Sequence, residues 1–242
     1  MANKNLKPEP PSRRQVSKRS LPPRSRRRAR RGRASAFTPV RPAAFDPLLA
    51  FPPAQPAEEP RPPEPREFSF GGTPHVVRLL GPADEGRLIS FFNSHTGETI
   101  RQRYGYQISE MTPERARRLV GVDQNRDVAL GVFERATDGE EVLHAVGRYL
   151  LDPTGRTAEA AFVVRETKRG LGICTVLLRL LLQIARARGM GYLSAQVQAD
   201  NAPMLSVFRH QGGRTRPILG ADAIEVFVPT SIPPDSKSSG VP

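Results

Sequence analysis

The chain has 242 residues and a net charge of +13, but fifteen of its 25 prolines lie in residues 1–66 and residues 1–35 alone carry +12. Residues 67–242 are left at +2, which excludes a uniformly cationic domain surface. A lone cysteine, Cys174, excludes an internal disulfide, and His75, His95, His144 and His210 lack metal-ligand spacing with it or with one another, so no metal is expected.

Residues 1–35 hold thirteen Lys or Arg against one acid, Glu9, with runs such as Arg26-Arg27-Arg28. So few apolar residues cannot offset the entropy of ordering, and residues 1–66 are expected to be a disordered tail. Within it, residues 36–66 form a Pro/Ala/Glu spacer that should be extended. Its proline density opposes the amphipathic helix of an organellar transit peptide. The basic block is suited to a nucleic acid or another acidic partner through counterion release, and also to being a plain solvated tail. No apolar stretch near the N-terminus resembles a signal-peptide core. The longest apolar run, Ile173 to Ile184, is broken by Thr175, Arg179 and Gln183. The expectation is a cytoplasmic protein with no membrane partner; the oligomeric state is left unset.

The folded part is expected over residues 67–230, followed by a disordered C-terminal tail over 231–242. Val76 to Leu80 reads as a strand, and Leu88, Ile89, Phe91 and Phe92 follow at helical spacing. Thr112-Pro113-Glu114 is a helix start, with Thr as N-cap, Pro at the first helical position and an acid in the first turn, running to about Val120. Val128 to Glu134, Val142 to Leu151 and Thr157 to Val164 read as three strands. Asp138-Gly139 and Asp152-Pro153-Thr154-Gly155 supply the turns between them. Such short connections make these strands antiparallel.

After Val164 comes Arg165-Glu166-Thr167-Lys168-Arg169-Gly170-Leu171-Gly172, then a helix with Ile173, Val176, Leu177, Leu180, Leu181 and Ile184 on one face, ending near Gly189. Tyr192 to Val197 reads as a strand, Asn201 to His210 as a helix stopped by Gly212-Gly213, and Ile224 to Val228 as a last strand. The fold class is α+β, with an α/β sandwich-like arrangement of a mixed sheet and helices packed on it.

A glycine-rich turn from strand to helix gathers main-chain N–H groups at one point and suits an anion, with Lys168 and Arg169 adding charge. The same glycines also serve as simple connectors. A dinucleotide fingerprint would want a third glycine at Thr175 and a parallel unit, and a Walker loop would not place Ile173 after its last glycine. Nicotinamide, flavin and nucleotide-hydrolysing folds are thereby disfavoured.

Phe162-Val163-Val164, the loop Thr167-Lys168-Arg169-Gly170-Leu171-Gly172, its long helix, and Asn201 with Met204-Leu205 ahead of Gly212 resemble the GNAT N-acetyltransferase superfamily. The likeness runs from His75 to about Val228 and is closest to the GNAT domains of bacterial protein lysine acetyltransferases. Val122-Asp123, Val128-Ala129-Leu130 and Ala158-Glu159-Ala160-Ala161 fit that subgroup. The resemblance implies a mixed, mostly antiparallel sheet flanked by helices, and acetyl-CoA as co-substrate without a metal. Its pyrophosphate would be held by the glycine loop and its pantetheine by the backbone of Phe162, Val163 and Val164, with Asn201 either an N-cap or within reach of that arm. Three residues depart from the family pattern. Thr167 replaces a Gln or Arg, Phe208 stands where many members place a tyrosine that protonates the leaving thiolate, and Gly213 replaces a common Phe.

A lysine amine titrates near 10.4, so only about one in a few thousand is neutral at pH 7 and a base is needed. Glu159 alternates with Ala161 and Val163 on one strand face and is flanked by alanines that would leave it partly desolvated. The bland reading is a strand Glu facing solvent, but the resemblance implies the general base. Transfer is then direct, with the N–H of Val163 or Val164 polarising the acetyl carbonyl. Cys174, in the first turn of a helix, is the rival nucleophile, or a packed residue. The acceptor is expected to be an amine, most readily a protein lysine, with its pocket formed around Ser94 to Tyr106 and Thr215 to Ala223. A small-amine acetyltransferase, and an acetyl-CoA-binding sensor or a nucleic-acid- or ribosome-tethered module without catalysis, are the alternatives.

Overall fold

The computed structural model describes residues 63–104, 110–136, 139–152 and 157–231. The basic block, nearly all of the proline-rich spacer and residues 232–242 lie outside the described residues, as does the Pro153-Thr154-Gly155 turn. Eight strands form one sheet: β1 Arg66–Phe70, β2 Thr73–Leu79, β3 Val128–Arg135, β4 Glu141–Leu151, β5 Ala158–Val164, β6 Tyr192–Gln198, β7 Arg214–Pro217 and β8 Ala223–Pro229. Their order across the sheet is β1-β2-β3-β4-β5-β6-β8-β7. All neighbours are antiparallel except β5 and β6. The mixed, mostly antiparallel α+β sheet expected from the turns is the sheet observed.

Among the described residues five α-helices flank it: α1 Glu85–Asn93, α2 Gly97–Tyr104, α3 Pro113–Val120, α4 Ile173–Ala187 and α5 Ala202–His210. On one face, α4 and α5 pack with Val77, Leu130, Ala145, Tyr149, Ala160 and Val228 in the larger core cluster. On the other, α1 and α3 cover Ala129, Phe133, Leu143, Val146 and Val163. Leu177, Leu178 and Leu181 of α4 are fully buried; truncating any one to Ala would cost about 2–5 kcal/mol. Helix α4 rides close on β4 because residue 147 is glycine. A Cβ there would stand 3.1 Å from both Leu177 Cβ and the Phe162 ring.

Local chemistry sets the element ends. Thr112 accepts a hydrogen bond from the Arg115 N–H at 3.2 Å and Pro113 opens α3, as its cap sequence predicts. Gly71 and Gly72, at φ of 60° and 80°, make the two-residue turn between β1 and β2. Three elements were not expected. Strand β1 adjoins a proline-rich stretch and has only Phe68 and Phe70 to mark its alternation. Helix α2, Gly97-Glu98-Thr99-Ile100-Arg101-Gln102-Arg103-Tyr104, is mostly polar. Strand β7 is exposed at all four positions, as an edge strand is, so it has no apolar alternation. The last two occupy much of the segments expected to be loops around the acceptor pocket.

Candidate active site

Strands β5 and β6 run parallel but share a single register pair, Glu159 with Ser194. Beyond it β5 continues through Val164 against β4 alone, so the edge of residues 162–164 that faces β6 has no ladder partner. The Arg165 N–H donates to the His144 carbonyl at 2.8 Å. By antiparallel alternation the N–H of Val163 also turns to β4, and those of Phe162 and Val164 turn to the open edge. The sequence expectation named Val163 or Val164 without distinguishing them; the ladder does.

The chain leaves the open end of β5 through a short 3-10 turn, Glu166–Lys168, and enters α4 at Gly172. Gly170 and Gly172 are left-handed, with φ of 77° and 81°, and a Cβ at either would meet nothing within 4 Å. Among the described residues no hydrogen bond engages the N–H groups of Gly170, Leu171, Gly172, Ile173, Cys174 or Thr175; the first intrahelical bond is from Val176 N–H to the Gly172 carbonyl, at 3.1 Å. Six unpaired donors, three of them in the first turn of a helix, make a site for an anion.

The carboxylate of Glu166 anchors this loop. One of its oxygens accepts from the Thr96 N–H at 2.9 Å, the Thr96 hydroxyl at 3.1 Å and the buried Thr99 hydroxyl at 2.6 Å, just before and within the first turn of α2. Burial alone would raise its pKa, but these hydrogen bonds hold it at about 2. Lys168 does not extend into the loop mouth. Its ammonium lies 2.6 Å from Glu134 Oε2 on β3. Arg169 donates to the Thr99 hydroxyl and lies 3.9 Å from Glu166. Both cations expected at the phosphate are thus engaged with the domain itself. Leu171 is exposed and lies against the Gly71 turn, where a Cβ would stand 3.4 Å from its methyls.

The sequence profile of the acetyltransferase (GNAT) family matches residues 95–212, the stretch from the end of α1 through this loop to the end of α5. The chain carries a GNAT-family acetyltransferase domain over residues 95–212. It is an acyltransferase that uses acetyl-CoA. An acetyltransferase of Pseudomonas aeruginosa is 26% identical over 129 residues, 53% of this chain and 69% of that protein. The GNAT domain of S. lividans PAT shares the fold with a TM-score of 0.61 at 22% identity, over 68% of this chain and 96% of that one. The ribosomal-protein-S5-alanine acetyltransferase of Vibrio fischeri does so at 0.56 and 14% identity, over 71% and 100%.

Within this GNAT domain the other expected residues sit as follows. Glu159 lies at the vertex where β5 and β6 part, on the same face as Val163, and is exposed. The dry surroundings expected from its alanine neighbours are not present, because Ala158 and Ala160 point into the opposite core. Thr167 is exposed on the loop. Phe162 is half-buried, with its ring 6.0 Å from that of Phe208, which is itself 2% exposed. Asn201 is the N-cap of α5, its side-chain oxygen accepting from the Met204 N–H at 3.2 Å. Gly213 leaves no room for the family's Phe, since a Cβ would come within 2.7 Å of the Phe208 carbonyl. Burial pushes the Cys174 thiol up to about 11 despite the nearby Arg169 charge. A thiol that is neutral at physiological pH is the weaker nucleophile.

Glu134, Thr96 and Thr99 were not singled out in the sequence. They contact the loop from positions 34 to 70 residues away, a separation that no local motif records. No described helix is long and apolar enough to cross a membrane.

Proposed function

We propose that this domain transfers acetyl from acetyl-CoA to the side-chain amine of a protein lysine by direct attack, with Glu159 as general base. The observation that carries the reading is the opening between β5 and β6, which has a carboxylate at its vertex and six unpaired N–H groups at its mouth. Acetyl-CoA supplies the thioester that is cleaved. The N–H groups of 170–175 would take the pyrophosphate, with the hydroxyl of Thr167 beside them. The open N–H groups of Phe162 and Val164 would pair with pantetheine as a missing strand does, and Val164 N–H is the better placed to polarise the carbonyl. Asn201, while its oxygen caps α5, keeps its amide N–H groups for the same arm.

Glu159 is solvated in the free domain, so its drying falls to the substrates that cover the strand edge, and a water can relay the proton. Directly across the β4–β5 ladder stands Leu150, 45% exposed. That apolar wall beside the base suits the methylenes of a lysine better than a small polar amine. With acetyl-CoA as co-substrate and a single, half-buried thiol, we assign the cytoplasm. The +12 block at residues 1–35 supports a nucleic acid or an acidic protein surface as a second partner, by counterion release.

The test is mass-spectrometric detection of acetylation on candidate proteins and small amines incubated with the full chain and acetyl-CoA. Protein ε-acetyl-lysine is expected, falling about 100-fold or more in Glu159→Gln at unchanged cofactor affinity. Full activity in that variant would sink the base assignment, and acetylation confined to small amines would sink the acceptor assignment.

A further inference from the structure

On the α4 face of the sheet, three side chains distant in sequence converge beside the glycine loop. His75 and Glu134 are register partners on β2 and β3. The register of β3 on β4 slips between Val132 and Phe133, leaving His144 as the extra residue of a bulge. A bulge re-aims its side chain, and the His144 ring comes to 5.7 Å from that of His75. One nitrogen from each imidazole and one carboxylate oxygen lie within 4.8 Å of one another.

The His75 tautomer is set by its neighbour. Nδ1 is 2.8 Å from the Thr73 carbonyl, which only accepts, so Nδ1 bears a proton, and in the neutral ring Nε2 is then a bare lone pair. That nitrogen is buried with no hydrogen-bond partner, and it faces Glu134 Oε2, a second acceptor, at 3.5 Å. The His144 Nε2 is 2.9 Å from the same oxygen. A bare His75 Nε2 facing the partly exposed Glu134 carboxylate is satisfied by a cation between or beside them, a proton or a metal ion. The Lys168 ammonium, 2.6 Å from that oxygen, reaches Glu134 but leaves His75 Nε2 unpartnered.

Zinc ligands at about 2.0–2.2 Å in a tetrahedron stand about 3.3–3.5 Å apart. The 3.5 Å from His75 Nε2 to the carboxylate matches that spacing, and the 2.9 Å from His144 Nε2 is shorter and would open slightly around an ion. The Thr73 carbonyl on His75 Nδ1 is the outer hydrogen bond that orients a ligating imidazole. Two nitrogen donors suit a zinc-class transition ion and not magnesium or calcium, which take oxygen ligands. Lys168 and Glu134 are both partly exposed, which leaves a way in.

We propose that His75, Glu134 and His144 form a binding site for a zinc-class divalent ion, which takes the place that the Lys168 ammonium holds on Glu134. Metal entry then returns Lys168 to the loop. The sequence expectation of no metal rested on spacing, and here the ligands come from three strands.

The experiment is calorimetric titration of the chelator-treated full chain with zinc chloride, with cobalt chloride giving the visible absorption of a tetrahedral site. One ion per chain is expected. Binding should be lost in His144→Ala, His75→Ala and Glu134→Gln and kept in His210→Ala, whose side chain is exposed on α5. Lys168→Met should tighten it about tenfold or more, because the competing ammonium is gone; this variant keeps all three ligands and tests the site if a histidine variant fails to fold. Absence of one-to-one binding in the wild-type chain, its persistence in Glu134→Gln, equal binding of magnesium, or no gain in Lys168→Met would each overturn the proposal.

Discussion

Glu159 and Cys174 differ in what surrounds them, and that difference is why Glu159 is the residue proposed to act on the proton. Glu159 sits on an exposed strand edge where two strands part, free to meet an incoming amine. Cys174 lies in the first turn of α4, where the nearby Arg169 charge would favour a thiolate, but burial outweighs it and lifts the thiol to about 11. Cys174→Ala is therefore expected to keep turnover within about twofold of wild type, measured as the initial rate of CoA release. A loss of 100-fold would restore the cysteine as nucleophile. Glu159 was singled out because the resemblance implies a base at this point of the strand; alternation gave only its face, shared with Ala161 and Val163. Its exposure was not legible, since flanking alanines say nothing about whether they point to the same side.

At the scale of the element, the loop between β5 and α4 is held open from outside. Lys168 ties it to β3, Glu166 ties it to the start of α2, and Leu171 rests on the β1–β2 turn. With Gly172 at φ 81°, any side chain there adopts a left-handed backbone at a cost of about 1–2 kcal/mol. Gly172→Ala should lower the melting temperature by a few degrees and weaken CoA binding, read by scanning and titration calorimetry. An unchanged affinity would remove the loop from the cofactor site. The Glu166 clasp carries a pH signature. Its carboxyl, ordinarily near 4.5, is held at about 2 in the folded state. A depressed folded pKa contributes stability that is fully present above about 4.5 and is lost as pH falls toward 2. Glu166→Ala should thus be less stable than wild type by about 1–3 kcal/mol at pH 7, with the gap closing between about pH 4.5 and 2 in denaturant titrations. A gap independent of pH across that window would mean that the charge on Glu166 contributes nothing. None of these clasps is visible in the loop's own residues, where Glu166, Lys168 and Arg169 read equally well as a solvated face.

For the whole molecule, charge and chemistry are separate: +12 resides in residues 1–35, and the GNAT domain behind them is close to neutral. Deleting residues 1–35 should weaken binding to single-stranded RNA and flatten its salt dependence, each lost phosphate contact removing about 0.7 from the slope of log affinity against log salt. Acetylation of a small amine should be unchanged. An unaltered slope would reject the tail as a polyanion contact. The succession of strands and helices from β2 to β8 was legible because apolar spacing, the cap at Thr112 and the glycine punctuation are local signals, each confined to a few neighbouring residues. β1, α2 and β7 escaped because they are polar, exposed or set beside proline and so have no period to detect. The order and type of most elements, the glycine turn and the segregation of charge were determined by the sequence itself. The tertiary structure alone decided that β5 and β6 diverge after one pair, that Lys168 turns back to Glu134, and that a bulge brings His144 to His75. Those outcomes depend on register and packing between strands far apart in the chain, and sequence spacing does not encode such distances.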